Sequence, residues 1–307
     1  MAAIVGPTAV GKTEVSIEIA EALGAEIVSV DSMQIYRGMD VGTAKPSPEM
    51  RRRVPHHLID LKDPSHELTV AEFQALARDA ISDISARGRL PLLVGGSGLY
   101  FRAVVDDLEF PPTSPAVRDA LEEEVEREGP GALHRRLEAL DPVAAARIEP
   151  SNARRTVRAL EVIELTGRPF SDNDSWDRFE SRYDLAIAGL RRDRADLDER
   201  IAQRTKLMLR SGLLDEVEKL TKHPWSRAAS QALGYRQAGE AGSQIDPEEL
   251  EARIARATRR FARRQEAWFR SDPRIAWFMA DSRTLSQELE SFFKNLPLLG
   301  GIWTKGG

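Results

Sequence analysis

The chain has 307 residues, 41% of them hydrophobic, enough for one large core and a smaller appendage. It has no cysteine, which excludes disulfides and thiolate metal sites and fits a reducing cytoplasm, and no apolar run near the roughly 20 residues that span a bilayer. With 44 Lys and Arg against 49 Asp and Glu, the net charge of −5 argues against a uniformly basic nucleic-acid coat but leaves room for local basic patches.

The first strand is expected from about residue 2, which leaves no room for a signal peptide. It leads into "GPTAVGKT", where Gly6, Gly11, Lys12 and Thr13 meet the pattern G-x-x-x-x-G-K-[ST] before an amphipathic helix. The two glycines let consecutive N–H groups turn inward on an anion, and the helix adds its N-terminal partial charge. Lys12 supplies a point charge, and the Thr13 hydroxyl can complete a magnesium shell. Bound phosphate is therefore expected, with its owner still open. Residues 26–30 read as a second strand ending in Asp31. Thr69 and Glu72 form a capping box for a helix that stops near Gly88. Residues 90–94, "LPLLV", read as a buried third strand, ending in "GGSG". Strands alternating with helices predict a doubly wound α/β parallel sheet with ligands at its carboxyl edge.

Phe110-Pro111-Pro112 breaks this rhythm. From Ser114 to about Gly167 the chain reads as helices, with starts at Ser114-Pro115, Asp141-Pro142 and Ser151 and a stop at Gly129-Pro130-Gly131. A strand returns at about residues 184–190, a helix follows over 197–211, and a last strand at 274–278 precedes a helix. The expected organisation is a P-loop core of residues 1–111 and 181–290, a helical insertion at 112–180, and a disordered tail at 291–307.

A P-loop ATPase needs an acid after an apolar strand, yet "LPLLV" ends in glycines. Asp31 after the second strand is the alternative carboxylate; an Asp there is otherwise a turn former or helix cap. The two strand ends should lie close in one sheet, so that Asp31 faces the phosphate.

The blocks "GPTAVGKT", "SVDSMQIYRGMDVGTAKP", "PHHLID", "LLVGGSGLYFRA", "RTVRALEV" and "LGYRQ" occur in this order, and the chain from Ile4 to Phe278 resembles the tRNA dimethylallyltransferases. The resemblance implies a P-loop that holds the diphosphate of dimethylallyl diphosphate rather than ATP. It implies transfer of the dimethylallyl group to N6 of the adenosine 3′ of the anticodon, with release of diphosphate. The implied diphosphate site is Gly6, Pro7, Thr8, Ala9, Val10, Gly11, Lys12 and Thr13, with Mg2+ on Thr13 and Asp31 as the catalytic carboxylate. The implied adenine amine must lose a proton as its new bond forms, so Asp31 suits a general base, and the Gln34 amide suits an adenine edge. Arg200 and Arg204, one helical turn apart, either close over the diphosphate or form a solvated face; arginines in the family pattern favour closure. Implied contacts to the tRNA anticodon stem-loop are Asp31, Ser32, Met33 and Gln34, then Arg154, Arg155, Thr156, Val157 and Arg158, then Gln231, Ala232, Leu233, Gly234, Tyr235 and Arg236. Ser97 and Arg118 match further single contacts. Without cysteine the chain resembles the bacterial form, expected to be cytoplasmic, monomeric and away from membranes.

Other features keep two readings. His56 and His57 suggest a metal, but five histidines and no thiolate favour a structural role. In the stretch 251–270, Ile254, Ala257, Phe261 and Trp268 make one stripe, and Arg256, Arg259, Arg260, Arg263 and Arg264 lie opposite, as a solvated face or as phosphate contacts. The rival activities are a P-loop small-molecule kinase and an adenylate isopentenyltransferase acting on free nucleotide. The arginine clusters of the insertion speak against both.

Overall fold

The computed structural model describes residues 1–172, 178–241 and 245–295. They divide into two compact units, one of residues 1–106 with 181 onward, the other of residues 107–180.

The larger unit begins with β1 (Ala2–Val5), α1 (Lys12–Leu23), β2 (Ala25–Ser29), α2 (Pro48–Arg53), β3 (His56–His57), α3 (Val70–Ala86), β4 (Leu90–Gly95) and α4 (Gly98–Val105). Three local signals set helix ends, and the Thr69 cap was expected. Gly24 ends α1 in the left-handed conformation at φ 60°, which glycine adopts without a Cβ penalty. Thr69 caps α3 by accepting from the Glu72 N–H. Ser47 caps α2 by accepting from the Met50 N–H.

The smaller unit holds α5 (Pro115–Glu128), α6 (Pro130–Leu140), α7 (Pro142–Arg147) and α8 (Ala153–Thr166). Pro115, Pro130 and Pro142 each open a helix, where the missing N–H costs nothing. Asn152, one residue beyond the expected Ser151, caps α8. This unit has its own core, in which Leu121, Leu133, Leu137, Val157 and Leu160 meet.

Back in the larger unit come β5 (Ala186–Arg191), α9 (Arg194–Arg210), α10 (Leu213–Leu220), α11 (Arg227–Ser230), α12 (Tyr235–Ala241), α13 (Pro247–Arg270), β6 (Ile275–Met279) and α14 (Leu285–Lys294). The tail expected from residue 291 thus begins inside α14; residues 296–307 lie outside the described residues.

The described residues form one sheet of six parallel strands, in the order β3-β2-β4-β1-β5-β6. The alternation of side chains explains how one short strand serves two cores. Ala3 and Val5 of β1 join Phe73, Phe101 and Phe269 on one face, while Ala2 and Ile4 join Ile17, Leu289 and Phe293 on the other. Both faces are covered, so the strands read as continuous apolar runs. No sequence pattern marks β3, a two-residue strand on the β2 edge. His56 Nδ1–H donates to the Val54 carbonyl at 2.7 Å and His57 meets the Glu26 carboxylate at 2.8 Å, so both histidines brace this edge. Glu26 is also paired with Arg87, which with His57 outweighs burial and holds its carboxyl down at about 2. Among the described residues no group of three or more His or acidic side chains is arranged to hold a metal.

Candidate active site

Because every strand points the same way, the loops after β1, β2, β4 and β5 meet at one edge. The loop of residues 6–11 has left-handed backbone at Gly6 (φ 148°), Ala9 (φ 65°) and Gly11 (φ 110°), which curls it around its own centre. Lys12 folds back, donating to the carbonyls of Gly6 at 2.9 Å and Pro7 at 2.8 Å. Burial pushes the Lys12 ammonium down to about 8; the Asp31 carboxylate opposes this and the Arg204 guanidinium adds to it.

Remote side chains fix the loop one residue at a time. Arg204 donates to the Thr8 hydroxyl at 2.9 Å, Arg200 to the Ala9 carbonyl at 3.0 Å, and Arg192 to the Val10 carbonyl at 2.9 Å. The buried amide of Gln265, on α13, accepts from the Thr8 N–H at 2.9 Å and donates to the Gly96 carbonyl at 2.8 Å. Arg200 and Arg204 were expected at the diphosphate; Arg192 and Gln265 were not singled out. The only hint of Arg192 was its place just after a strand, and nothing local marked Gln265.

β1 and β2, whose ends were expected to lie close in one sheet, share the sheet with β4 between them. The glycines at the end of β4 close the gap. A Cβ on Gly95 would meet Val30 at 2.6 Å, and one on Gly96 would lie 2.4 Å from the Gln265 amide nitrogen and 3.1 Å from the Gly6 carbonyl. "GGSG" carries no acid because its work is to be thin. Across it the Asp31 charge reaches both Lys12 and Arg204; burial lowers the Arg204 pKa, and Asp31 counters it.

Asp31 accepts from the Met33 N–H at 2.9 Å, an Asx turn that starts the loop of residues 31–45. Gln34 is held from both ends: its amide oxygen accepts from the Ser29 hydroxyl at 2.9 Å and its nitrogen donates to the Thr43 carbonyl at 3.3 Å. Ser32 and Met33 are half-buried beside them, and Ser97 stands half-buried before α4.

In the helical unit the expected RNA positions fall into two groups. Arg154 and Arg155 are exposed in the first turn of α8, whereas Thr156 and Val157 are buried in its core. Arg158 and Arg118 both bind the fully buried Glu161, and Arg158 also donates to the carbonyls of Pro111 and Pro112. In the larger unit Gln231 is exposed, Leu233 and Arg236 are half-buried, and Ala232, Gly234 and Tyr235 are buried. On α13, Arg256, Arg260, Arg263 and Arg264 are exposed opposite buried Ile254 and Ala257, and Arg259 turns to Asp198.

A parallel sheet with a phosphate loop after its central strand, basic side chains on that loop and a carboxylate across two glycines defines a P-loop group-transfer enzyme. The "IPP transferase" family model matches residues 34–272, and the "Isopentenyl transferase" model matches residues 1–63. A tRNA dimethylallyltransferase of Streptomyces coelicolor is 53% identical over 278 residues, covering 90% of this chain and 88% of that protein. The crystal structure of a tRNA isopentenylpyrophosphate transferase from Bacillus halodurans superposes with a TM-score of 0.70 at 43% identity, covering 95% of this chain and 94% of that one. A eukaryotic dimethylallyltransferase, solved in the course of acting on tRNA, gives a TM-score of 0.82 at 25% identity over 97% of this chain and 80% of that one. The chain belongs to the IPP transferase family, together with these tRNA dimethylallyltransferases.

Proposed function

We propose that this protein transfers the dimethylallyl group of dimethylallyl diphosphate to N6 of the adenosine 3′ of the anticodon in tRNA and releases diphosphate. The observation that carries the reading is that Lys12 and Arg204 both bond to the loop of residues 6–11, where the Asp31 charge acts on both. The N–H groups of residues 9–13, with Lys12, stabilise charge as it builds on the leaving diphosphate. The N6 lone pair forms the new bond to the allylic carbon as the carbon–oxygen bond to diphosphate breaks. Asp31 takes the N6 proton, and the Gln34 amide holds the adenine edge. Exclusion of water keeps the allylic centre for the amine.

Magnesium fits this setting. The Thr13 hydroxyl makes no hydrogen bond among the described residues, and one hydroxyl with diphosphate oxygens and water is a donor set that Mg2+ accepts. When bound there, Mg2+ neutralises charge on the diphosphate.

Exposed Arg154 and Arg155 contact RNA phosphates, and the exposed arginines of α13 are a second candidate face. The target base leaves its stack to be reached, at a cost of a few kcal/mol. A tRNA substrate sets the reaction in the cytoplasm.

The test is labelled dimethylallyl diphosphate offered to unmodified tRNA, AMP and ATP together. Label on tRNA alone is expected. Label on AMP would favour an adenylate isopentenyltransferase, and transfer of the ATP γ-phosphate to a small molecule would restore the kinase reading.

A further inference from the structure

Two polar side chains used by nothing above converge on one stretch of backbone. Glu216, on α10, accepts from the N–H groups of Asp40 at 3.1 Å and Val41 at 3.0 Å. The Tyr235 hydroxyl accepts from the Gly42 N–H at 3.2 Å and donates to Glu216. Tyr235 is 1% exposed, so it offers RNA nothing from within a segment expected to touch it. Burial, and then Glu216, raise its pKa, so the phenol remains the donor of the pair. Gly42 has no room for a side chain, since a Cβ would lie 2.3 Å from the Tyr235 ring. The far side of the loop is closed by Lys45, whose buried ammonium binds Asp40 at 2.7 Å and Asp60 at 2.6 Å.

The residue after this clamp is Thr43, whose carbonyl receives the Gln34 amide nitrogen. A carbonyl only accepts, so it fixes which end of the amide is nitrogen; the Ser29 hydroxyl alone would tolerate either. With one N–H given to Thr43 and one lone pair to Ser29, Gln34 keeps one N–H and one lone pair for a base. In this sense it matches adenine, whose N6–H lies beside a ring-nitrogen acceptor. Flipped, it would match O6 and N1–H of guanine.

We propose that Glu216 and Tyr235 are positioning residues which, through the Thr43 carbonyl, fix the sense of the Gln34 amide and so set the preference for adenine over guanine at the acceptor position. This rests on the reading of Gln34 and of the acceptor proposed above.

The experiment uses RNA anticodon stem-loops with adenine or guanine at the acceptor position, the guanine form measured as a competitive inhibitor of transfer to the adenine form. Tyr235→Phe and Glu216→Ala are each expected to lower the adenine-to-guanine preference about ten-fold, the scale of one bidentate amide–base pair. Dimethylallyl diphosphate affinity should stay unchanged. Glu216→Gln, which keeps an acceptor oxygen, should restore most of the preference. Gln34→Leu should abolish it, and adding Tyr235→Phe to Gln34→Leu should change it no further. Lower melting temperature and slower transfer with an unchanged preference would make the clamp a mere brace and overturn the inference while leaving Gln34 as the base reader. A preference that survives Gln34→Leu would overturn the inference together with that role of Gln34. Absence of transfer by the wild type would instead strike at the proposed function.

Discussion

The loop after β1 and the loop after β2 sit at one sheet edge and differ in how much of their shape is local. Residues 6–13 carry a frame of their own, with glycines at φ 148° and 110°, a lysine that folds onto its own loop, and a helix that starts at once, and Arg192, Arg200, Arg204 and Gln265 add bonds to it from afar. Residues 31–45 turn on themselves too, at the Asx turn of Asp31 and at left-handed Gly38 and Ala44, but no helix starts among them. They are held by Glu216 and Tyr235 from outside, and by Lys45 gripping Asp40 and Asp60. The first loop needs only a generic anion cradle, which backbone N–H groups supply. The second must place a carboxylate and an oriented amide, which calls for side chains fixed from several directions.

Removing the charge from the phosphate loop is expected to have the largest effect. Lys12→Ala should cut transfer on the order of 100-fold, as loss of one preorganised charge-stabilising group does. Turnover near wild type would break the assignment of this loop to the leaving group.

Two milder probes follow. Lys12 carries its proton below about 8 and loses it above, so diphosphate affinity should be full at neutral pH and fall as pH rises through about 8. In kcat/KM for dimethylallyl diphosphate the decline should approach about ten-fold per pH unit, and Lys12→Arg should move it out of range. Gly96→Ala pushes a methyl against the Gln265 amide, 2.4 Å away in the present geometry. The lost bonds to Thr8 and Gly96 leave buried groups unpaired, at ~1–3 kcal/mol, so KM for the diphosphate should rise about ten-fold. An unchanged KM would mean that the phosphate loop needs no support from α13.

The smallest effect is expected at the helical unit. Arg154→Ala with Arg155→Ala removes two exposed charges, and each lost phosphate contact should flatten log K against log salt by roughly 0.7–0.9. Arg158 is left in place because it holds buried Glu161. An unchanged salt slope in tRNA binding would make this arginine pair a solvated face.

The same contrast explains what could be read from the sequence. The phosphate loop, the Thr69–Glu72 cap and the prolines opening α5, α6 and α7 are signals written within a few residues. Arg192, Gln265 and Glu216 act on residues 182, 257 and 176 positions away, and no local pattern marks them. The place of β4 between β1 and β2 was equally hidden, because strand order depends on how helices pack on both faces. Tyr235, Thr156 and Val157 show a further limit. A resemblance marks a segment as touching RNA, but burial decides which of its side chains can reach the surface.

The division of labour between the two loops is tested most directly at Asp31, with Asp31→Asn, which keeps size and loses the proton acceptor. Dimethylallyl diphosphate binding is titrated first, and single-turnover transfer to unmodified tRNA is then measured on the saturated protein. The account predicts unchanged diphosphate affinity with transfer slowed on the order of 100-fold or more, the range for a lost general base. Lost diphosphate affinity with an undiminished transfer step would place Asp31 in the phosphate site as a metal ligand and contradict the account.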